Sequence, residues 1–210
     1  MSRPVLILAL MLCSSVLAAQ QNIRQVDFKN FTYPLTGHLL GHDSLEWLDT
    51  PTHPATNRKS IHLVDGSQLT KTSSVTVDGK EYGQYEGFTF ESVSYGDVIG
   101  DGKEEAIVVL MYQTGGTQTT NYVYVYGLGE HGPKLLAYCH TGDRSDLGLY
   151  RVHPRNGLLV FELLDPARAS GECCSSGVLI SSFKWQNGVF KLEGRIQRRT
   201  LPPPQEHPEK

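Results

Sequence analysis

Short apolar runs dominate the chain from residue 61 onward, and Gly, Asn and Asp separate them at even spacing. A hairpin is predicted in IHLVDGSQLT, where Asp65-Gly66 lies between apolar runs. Further strands are predicted in GFTFESVSY, EAIVVLMYQ, NYVYVYGL, PKLLAYCH, GLYRVH, GLLVFELL, GVLISSFKW and VFKLEGRI. No convincing amphipathic helix is found. The pattern therefore predicts an all-β single domain, built as an antiparallel meander, sandwich or partly open barrel.

The rest of the chain divides around this β-rich domain, which we place at residues 57–196. Residues 20–56 are irregular, with one strand predicted in IRQVDFKNFTYPL and breakers at Pro51 and Pro54. Residues 197–210 are rich in proline and polar residues, so we predict a disordered tail.

The first 19 residues resemble a secretory signal peptide. Arg3 precedes an apolar run from Val5, and the small residues Ala18 and Ala19 provide a cleavage site. The run is too short to span a bilayer, which needs about 20 apolar residues. We therefore expect a secreted or periplasmic protein without a membrane span.

Charge and cysteine content restrict the partners and the covalent structure. The net charge of the 210-residue chain is −3, which argues against nucleic acid or anionic lipid as a partner. Outside the leader the cysteines are Cys139, Cys173 and Cys174. Three thiols cannot all pair within one chain. We expect a disulfide between Cys139 and one of the adjacent pair, and the strained alternative is a ring between Cys173 and Cys174.

One stretch, DVIGDGKEEAIVVL, combines acidic residues and glycines with the start of a buried strand. Calcium loops take oxygen ligands at alternate positions around a glycine bend. Counted from Asp97, such a loop would use Asp101, the carbonyl of Lys103 and Glu105. Ile99 supplies no oxygen at the third position. The alternative is a β-turn with solvated acids, because Asp and Gly tolerate unusual backbone angles.

This stretch resembles the FG-GAP or VCBS-type acidic loop of integrin-like β-propellers. The resemblance covers about a dozen residues and implies a weak calcium site, with a Kd of about 10⁻⁴ to 10⁻³ M. A wider segment, residues 88–192, is similar to a group of uncharacterised exported or lipoprotein-type bacterial proteins. They share an acidic turn entering a strand, a GDR turn and a later CC. That resemblance implies a β-rich exported domain without an assigned activity.

Two further groups of residues are candidates for ligand binding. Asp143, Arg144 and Asp146 combine a guanidinium with carboxylates, which suits a polar ligand or, alternatively, only a charged turn between strands. Tyrosines alternate with valines along one predicted strand, at Tyr122, Tyr124 and Tyr126. Such a stripe could stack on a sugar or a protein, whereas cross-strand packing is the structural alternative.

The sequence predicts a non-enzymatic exported domain that binds an unknown protein or glycan, with calcium as a weak structural ion and no other cofactor. Nucleophile, phosphate-binding and dinucleotide-binding motifs are missing from the sequence. The alternative is an extracytoplasmic hydrolase that uses paired carboxylates from Asp97, Asp101, Asp143 and Asp146, and it requires two of them in one cleft.

Overall fold

The computed structural model of the chain describes residues 22–35, 39–40, 45–46, 48–51, 59–171 and 174–202. The signal-peptide prediction at residues 1–19 lies outside the described residues. Within these residues no helix is long and apolar enough to cross a membrane.

In the part of the chain that the structure describes, twelve antiparallel strands form three sheets. The N-terminal sheet pairs β1 (Thr32–Pro34) with β2 (Ser60–His62). The central sheet follows chain order: β3 (Ser67–Val77), β4 (Lys80–Gly96), β5 (Glu105–Thr114), β6 (Thr119–Gly129) and β7 (Gly132–His140).

The outer sheet has the order β11-β10-β9-β8, and β12 also pairs with β10. Its strands are β8 (Leu149–Arg155), β9 (Leu158–Leu164), β10 (Gly177–Gln186), β11 (Val189–Leu192) and β12 (Gln197–Thr200). The predicted all-β fold is confirmed: the described residues form three antiparallel sheets, and none of these closes into a barrel.

Asn-Gly dipeptides close two hairpins of the outer sheet. Asn156-Gly157 joins β8 to β9, and Asn187-Gly188 joins β10 to β11. All four residues have positive φ, between 51° and 86°. Two-residue hairpin turns need positive φ at both positions to match the twist of the strands, and asparagine and glycine tolerate it best. These turns explain why β8 lies beside β9 and β10 lies beside β11.

The first hydrophobic core lies between the central and outer sheets. Phe161 and Phe183 meet edge-on at its centre, with ring centroids 5.6 Å apart. The sheets approach closely where Gly96 faces Pro154, since a Cβ on Gly96 would lie 2.6 Å from the proline Cβ. Buried members of this core include Ile107, Val109, Val123, Val125, Ala137, Cys139, Val152, Leu159, Phe161, Leu163, Leu179, Phe183 and Phe190.

The second core covers the opposite face of the central sheet with residues from the N-terminal segment. Its buried members are Ile23, Phe28, Tyr33, Ile61, Leu63, Ala106, Val108, Leu110, Tyr124, Tyr126 and Tyr138. The hydroxyl of Tyr124 donates to the carbonyl of Pro34 at 2.9 Å, which fixes β1 on the sheet. Because β5 is buried on both faces, its sequence EAIVVL is continuously apolar after the glutamate.

The prediction of a disordered tail from residue 197 is wrong for its first four residues. Residues 197–200 form β12 against the first part of β10, whereas β11 occupies only the last part of that strand. Two arginines hold the segment: Arg199 pairs with Glu162, and Arg198 lies 3.2 Å from the buried carboxylate of Asp165. Pairing with the available edge of β10, together with two ion pairs, therefore orders residues 197–200, although this segment is polar. Residues 203–210 lie outside the described residues.

The hairpin of β3 and β4 extends past the rest of the central sheet. The last pair that joins β4 to β5 is Glu86 with Thr114. Residues 71–85, which we call the arm, therefore pair only with each other. Exposed apolar side chains lie along it at Val75, Val77, Tyr82 and Tyr85.

Two tyrosines provide a test of the second core. Tyr33 has 0% of its surface exposed and Tyr82 on the arm has 54%. We expect Tyr33→Ala to lower the free energy of unfolding by about 3–5 kcal/mol, because it opens a cavity in a packed aromatic cluster. Tyr82→Ala should change it by no more than about 0.5 kcal/mol. Urea unfolding followed by circular dichroism measures both, and equal losses would show that the N-terminal segment does not stabilise the sheet.

Candidate functional site

The acidic loop between β4 and β5 is closed by hydrogen bonds from its own amides. The Asp97 carboxylate accepts from the amides of Gly100 at 2.6 Å and Gly102 at 2.9 Å. Asp101 accepts from the amide of Lys103 at 2.9 Å. Gly100 and Gly102 have φ near +80°, so the chain turns sharply at both glycines.

Glu105 turns inward from the same loop. Only 2% of its surface is exposed, and its carboxylate accepts from the amides of Val98 at 2.9 Å and Ile99 at 3.3 Å. Burial raises the pKa of this carboxyl to about 7, although the two amide bonds oppose the shift. Glu105 therefore anchors the loop to the start of β5. The turn interpretation expected solvated acids at this position, whereas Glu105 is buried.

These bonds bear on the calcium prediction, which named Asp97, Asp101, Lys103 and Glu105 as ligands. Across the described residues, no group of three acidic, histidine or cysteine side chains is arranged to hold a metal ion. The calcium site stays a prediction.

The second acidic segment, Asp143 to Asp146, is a tight loop between β7 and β8. The carboxylate of Asp143 accepts from the amide of Thr119 at 2.9 Å and from Nε of Arg144 at 3.1 Å. A Cβ on Gly142 would lie 1.8 Å from the carbonyl oxygen of Asp146, so only glycine fits there. Asp143 and Arg144 thus pair with each other and tie this loop to the start of β6.

The two acidic segments lie at opposite ends of the central sheet. The loop of Asp97 and Asp101 leads into the first residue of β5, whereas Asp143 contacts Thr119, which pairs with Gln113 near the end of β5. Ten residues of extended strand measure about 30 Å. The four carboxylates therefore do not meet in one cleft, and a hydrolase cannot draw its acid and base from both segments.

The tyrosine stripe on β6 divides between a core and a surface. Tyr124 and Tyr126 are buried, and burial raises the pKa of both phenols. They pack against Tyr33 with ring centroids 5.0 and 6.2 Å away, so neither can reach a ligand. Tyr122 is only partly buried and lines a cleft. Of the three predicted binding residues, the structure leaves Tyr122 available.

That cleft lies on the central sheet at the base of the arm and has a volume of about 570 Å³. Its aromatic wall consists of Phe88 with Tyr112 and Tyr122, whose ring centroids lie 4.8 and 5.2 Å from that of Phe88. The remaining lining residues are Leu35, Gln68, Thr70, Thr72, Glu86 and Gly87. The floor is tight at Gly87, where a Cβ would lie 2.0 Å from the carbonyl oxygen of Gln68.

The polar groups of the cleft are linked. The hydroxyl of Tyr112 donates to the carboxylate of Glu86, and this bond, together with burial, raises the pKa of the phenol to about 12. A tyrosine that stays protonated and a carboxylate that accepts give the cleft one fixed donor–acceptor pair beside three aromatic rings. The sequence analysis missed Phe88, Tyr112 and Glu86. Knowledge of the strand register would have identified these residues. The register places Phe88 opposite Tyr112 and Gln68, and it places Glu86 opposite Thr70.

The predicted disulfide from Cys139 is wrong. Cys139 is a free, fully buried thiol in the first core, and burial raises its pKa. Cys174 is disulfide-bonded and lies on an exposed loop before β10. A thiol that points between two packed sheets cannot reach such a loop. Cys173 lies outside the described residues.

Comparison of the chain with protein-family models, with curated proteins and with solved structures found no match. The resemblances to FG-GAP or VCBS-type loops and to a group of exported proteins therefore stay predictions.

Glu105 predicts a pH dependence of stability. Its pKa in the folded protein, about 7, lies above the value near 4.3 of an unfolded chain. Its contribution to stability is therefore fully present below about pH 4.3 and is lost as the pH rises through 7. We expect the difference in unfolding free energy between wild type and Glu105→Gln to fall by about 3–4 kcal/mol between pH 4 and 8. Parallel stability curves for the two proteins, measured by urea unfolding, would contradict the buried carboxyl.

Calcium distinguishes the two interpretations of the acidic loop. The calcium interpretation predicts that an ion concentration of ten times Kd stabilises the protein by about 1.4 kcal/mol, which raises Tm by a few degrees. Asp101→Asn keeps an acceptor for the Lys103 amide and should abolish the response, whereas Ile99→Asp should increase it. The turn interpretation predicts the same melting curve in millimolar calcium and in chelator for all three proteins. Differential scanning calorimetry provides the measurement.

Proposed function

We propose that the protein is an exported, non-enzymatic domain that binds a glycan in the cleft at the base of the arm. One observation carries the proposal: three aromatic rings, from Phe88, Tyr112 and Tyr122, lie in one cleft beside hydrogen-bonding side chains. The apolar faces of sugar rings stack on aromatic side chains, and sugar hydroxyls need polar groups at the edges of the same site.

The polar side chains suit hydroxyl groups. Gln68, Thr70 and Thr72 are exposed along β3, and each can both donate and accept hydrogen bonds. Glu86 accepts from Tyr112 and retains further lone pairs for a ligand hydroxyl. A charged acceptor makes a stronger bond than a neutral one, so Glu86 would orient the sugar.

Binding is favoured over hydrolysis by the number of acids. Glycosidases commonly place two carboxyl groups about 5–9 Å apart around the scissile bond. Glu86 is the one acid among the described residues that line the cleft. A single carboxylate that is engaged with a phenol serves recognition better than acid–base chemistry.

The sequence supports the export part of the proposal. A basic residue, an apolar run and a small-residue cleavage site make up residues 1–19. Secretion would bring the cleft into contact with extracellular or envelope glycans. Cell fractionation with N-terminal sequencing of the protein from its natural host would test export, and recovery from the cytoplasmic fraction alone, with Met1 intact, would count against it.

Isothermal titration with soluble oligosaccharides tests the cleft. We would use chitohexaose and cellohexaose first and then a broad glycan array. Tyr122→Ala should weaken binding of the best probe at least tenfold, because one stacked aromatic contributes about 1–3 kcal/mol to ring stacking. Glu86→Gln, which keeps the shape of the site, should weaken binding without altering Tm.

Tyr150→Ala is the matched control, since Tyr150 is a half-exposed tyrosine on β8, in another sheet. It should bind the probe as the wild type does. Failure of the whole array to bind, or equal affinities for Tyr122→Ala and Tyr150→Ala, would exclude the glycan proposal.

A further inference from the structure

The outer sheet has one face that no strand of the central sheet covers. Along β9, Leu159, Phe161 and Leu163 point into the first core. The alternate residues Leu158, Val160 and Glu162 therefore point away from it. Their cross-strand partners on β8 and β10 share that direction, because directly opposed residues lie on the same side of a sheet. We call this side the outer face.

The outer face is strongly cationic, although the chain carries a net charge of −3. Its basic side chains come from β8, β10, β11 and β12: Arg151, Arg155, Lys184, Lys191 and Arg199. Among the described residues, two carboxylates lie on this side: Glu162 on β9, and Glu193, which follows β11 and donates its amide to the carbonyl of Ser182. Glu162 is buried and pairs with Arg199. The outer face therefore carries an excess of positive charge, which the negative net charge of the whole chain does not reveal.

The two lysines named above lie opposite each other on adjacent strands. Lys184 on β10 and Lys191 on β11 are direct cross-strand partners. Like charges in that position destabilise a sheet. Both side chains are exposed, and an anion placed over them would remove the repulsion.

Beside these lysines lies a groove of about 310 Å³. Its floor is aliphatic and consists of Leu158, Val160 and Ile180. Polar and basic groups surround the floor: Arg155, Asn156, Ser182 and Gln197. An apolar centre with a polar, charged rim is the arrangement of protein–protein interfaces.

We propose that the outer face docks an acidic segment of a partner protein, with an aliphatic side chain of that segment in the groove and its carboxylates on the surrounding cations. Arg155 and Lys184 lie nearest to such carboxylates. Arg155 pairs with Leu158 of the floor, and Lys184 follows Phe183, the last residue of β10 paired with β9. Charge complementarity would steer the partner, and the groove would fix its register.

The lining favours protein over other polyanions. Sugars and nucleic-acid bases stack on aromatic rings. The described residues that line this groove include no aromatic side chain, whereas the cleft on the central sheet has three. The two surfaces also belong to different sheets, so the inference is independent of glycan binding.

Fluorescence anisotropy with a defined probe tests the docking surface. The probe is a fluorescein-labelled dodecapeptide of glutamates with leucine at every fourth position, and the comparison peptide has serine in place of leucine. We expect the leucine peptide to bind with a Kd below about 100 μM at low salt and to weaken as sodium chloride is added. The serine peptide should bind at least fivefold more weakly, and Leu158→Ser should remove this difference.

The double variant Arg155→Glu/Lys184→Glu should lose at least tenfold in affinity. Lys80→Glu/Lys134→Glu is the matched control, because it makes the same change in net charge at two exposed lysines of the central sheet. It should lose less than threefold. Circular dichroism and Tm confirm that each variant is folded.

Four outcomes would overturn the proposal. They are equal binding of the leucine and serine peptides, equal losses in the two double variants, tighter binding of heparin or polyphosphate than of the leucine peptide, and no binding of the leucine peptide at about 1 mM. The second outcome would indicate general charge attraction, and the third would indicate a polyanion site.

Discussion

Burial of both faces of the central sheet is the constraint on which the structure depends. Strands β5, β6 and β7 place alternate residues in the first core and the second core, so their middle residues are apolar on both sides. A single sheet with one covered face would bury far less apolar surface, and the stability of a domain of this size depends on that area. The N-terminal segment is therefore part of the fold, and Tyr33 is as central as Phe161.

This arrangement decides where function can lie. The middle of the central sheet is buried on both faces. Among the described residues, the cleft at the margin of this sheet and the groove on the outer face remain open to ligands. The cleft and the groove differ in chemistry. One offers aromatic rings with a carboxylate, and the other offers aliphatic side chains with arginines and lysines. Under the two proposals, each surface would bind a different class of partner, and one chain would connect the two partners.

Sequence patterns predicted the fold class but only fragments of the candidate sites. Apolar periodicity and Asn-Gly turns specify strands and hairpins locally, which is why the all-β architecture could be read directly. The prediction that the whole tyrosine stripe binds a ligand was wrong, because period-two alternation does not indicate which face of a strand is covered. Tyr124 is covered by Tyr33, which is distant in sequence. The burial of Glu105 was not predicted either, since the sequence of an acid at the start of a strand gives no sign that it is buried.

The cationic outer face could not be predicted from the net charge. Strands β8, β10, β11 and β12 bring together cations that are up to about 50 residues apart in sequence.

The arm has a consequence for the energetics of local opening. At the row of Thr70, Glu86 and Thr114 the sheet is three strands wide, and beyond it only two strands remain. An isolated two-stranded ribbon is marginally stable in water. Amide protons of the arm should therefore exchange with solvent through small fluctuations, while those of β5 and β6 exchange only when the domain unfolds. The cleft lies at this boundary, because Thr72 belongs to the arm whereas the other described lining residues lie outside it. A ligand that contacts Thr72 together with the wider sheet must supply the free energy that orders the base of the arm. Its binding would register as protection from exchange up to the tip at Asp78 and Gly79, well outside the contact itself.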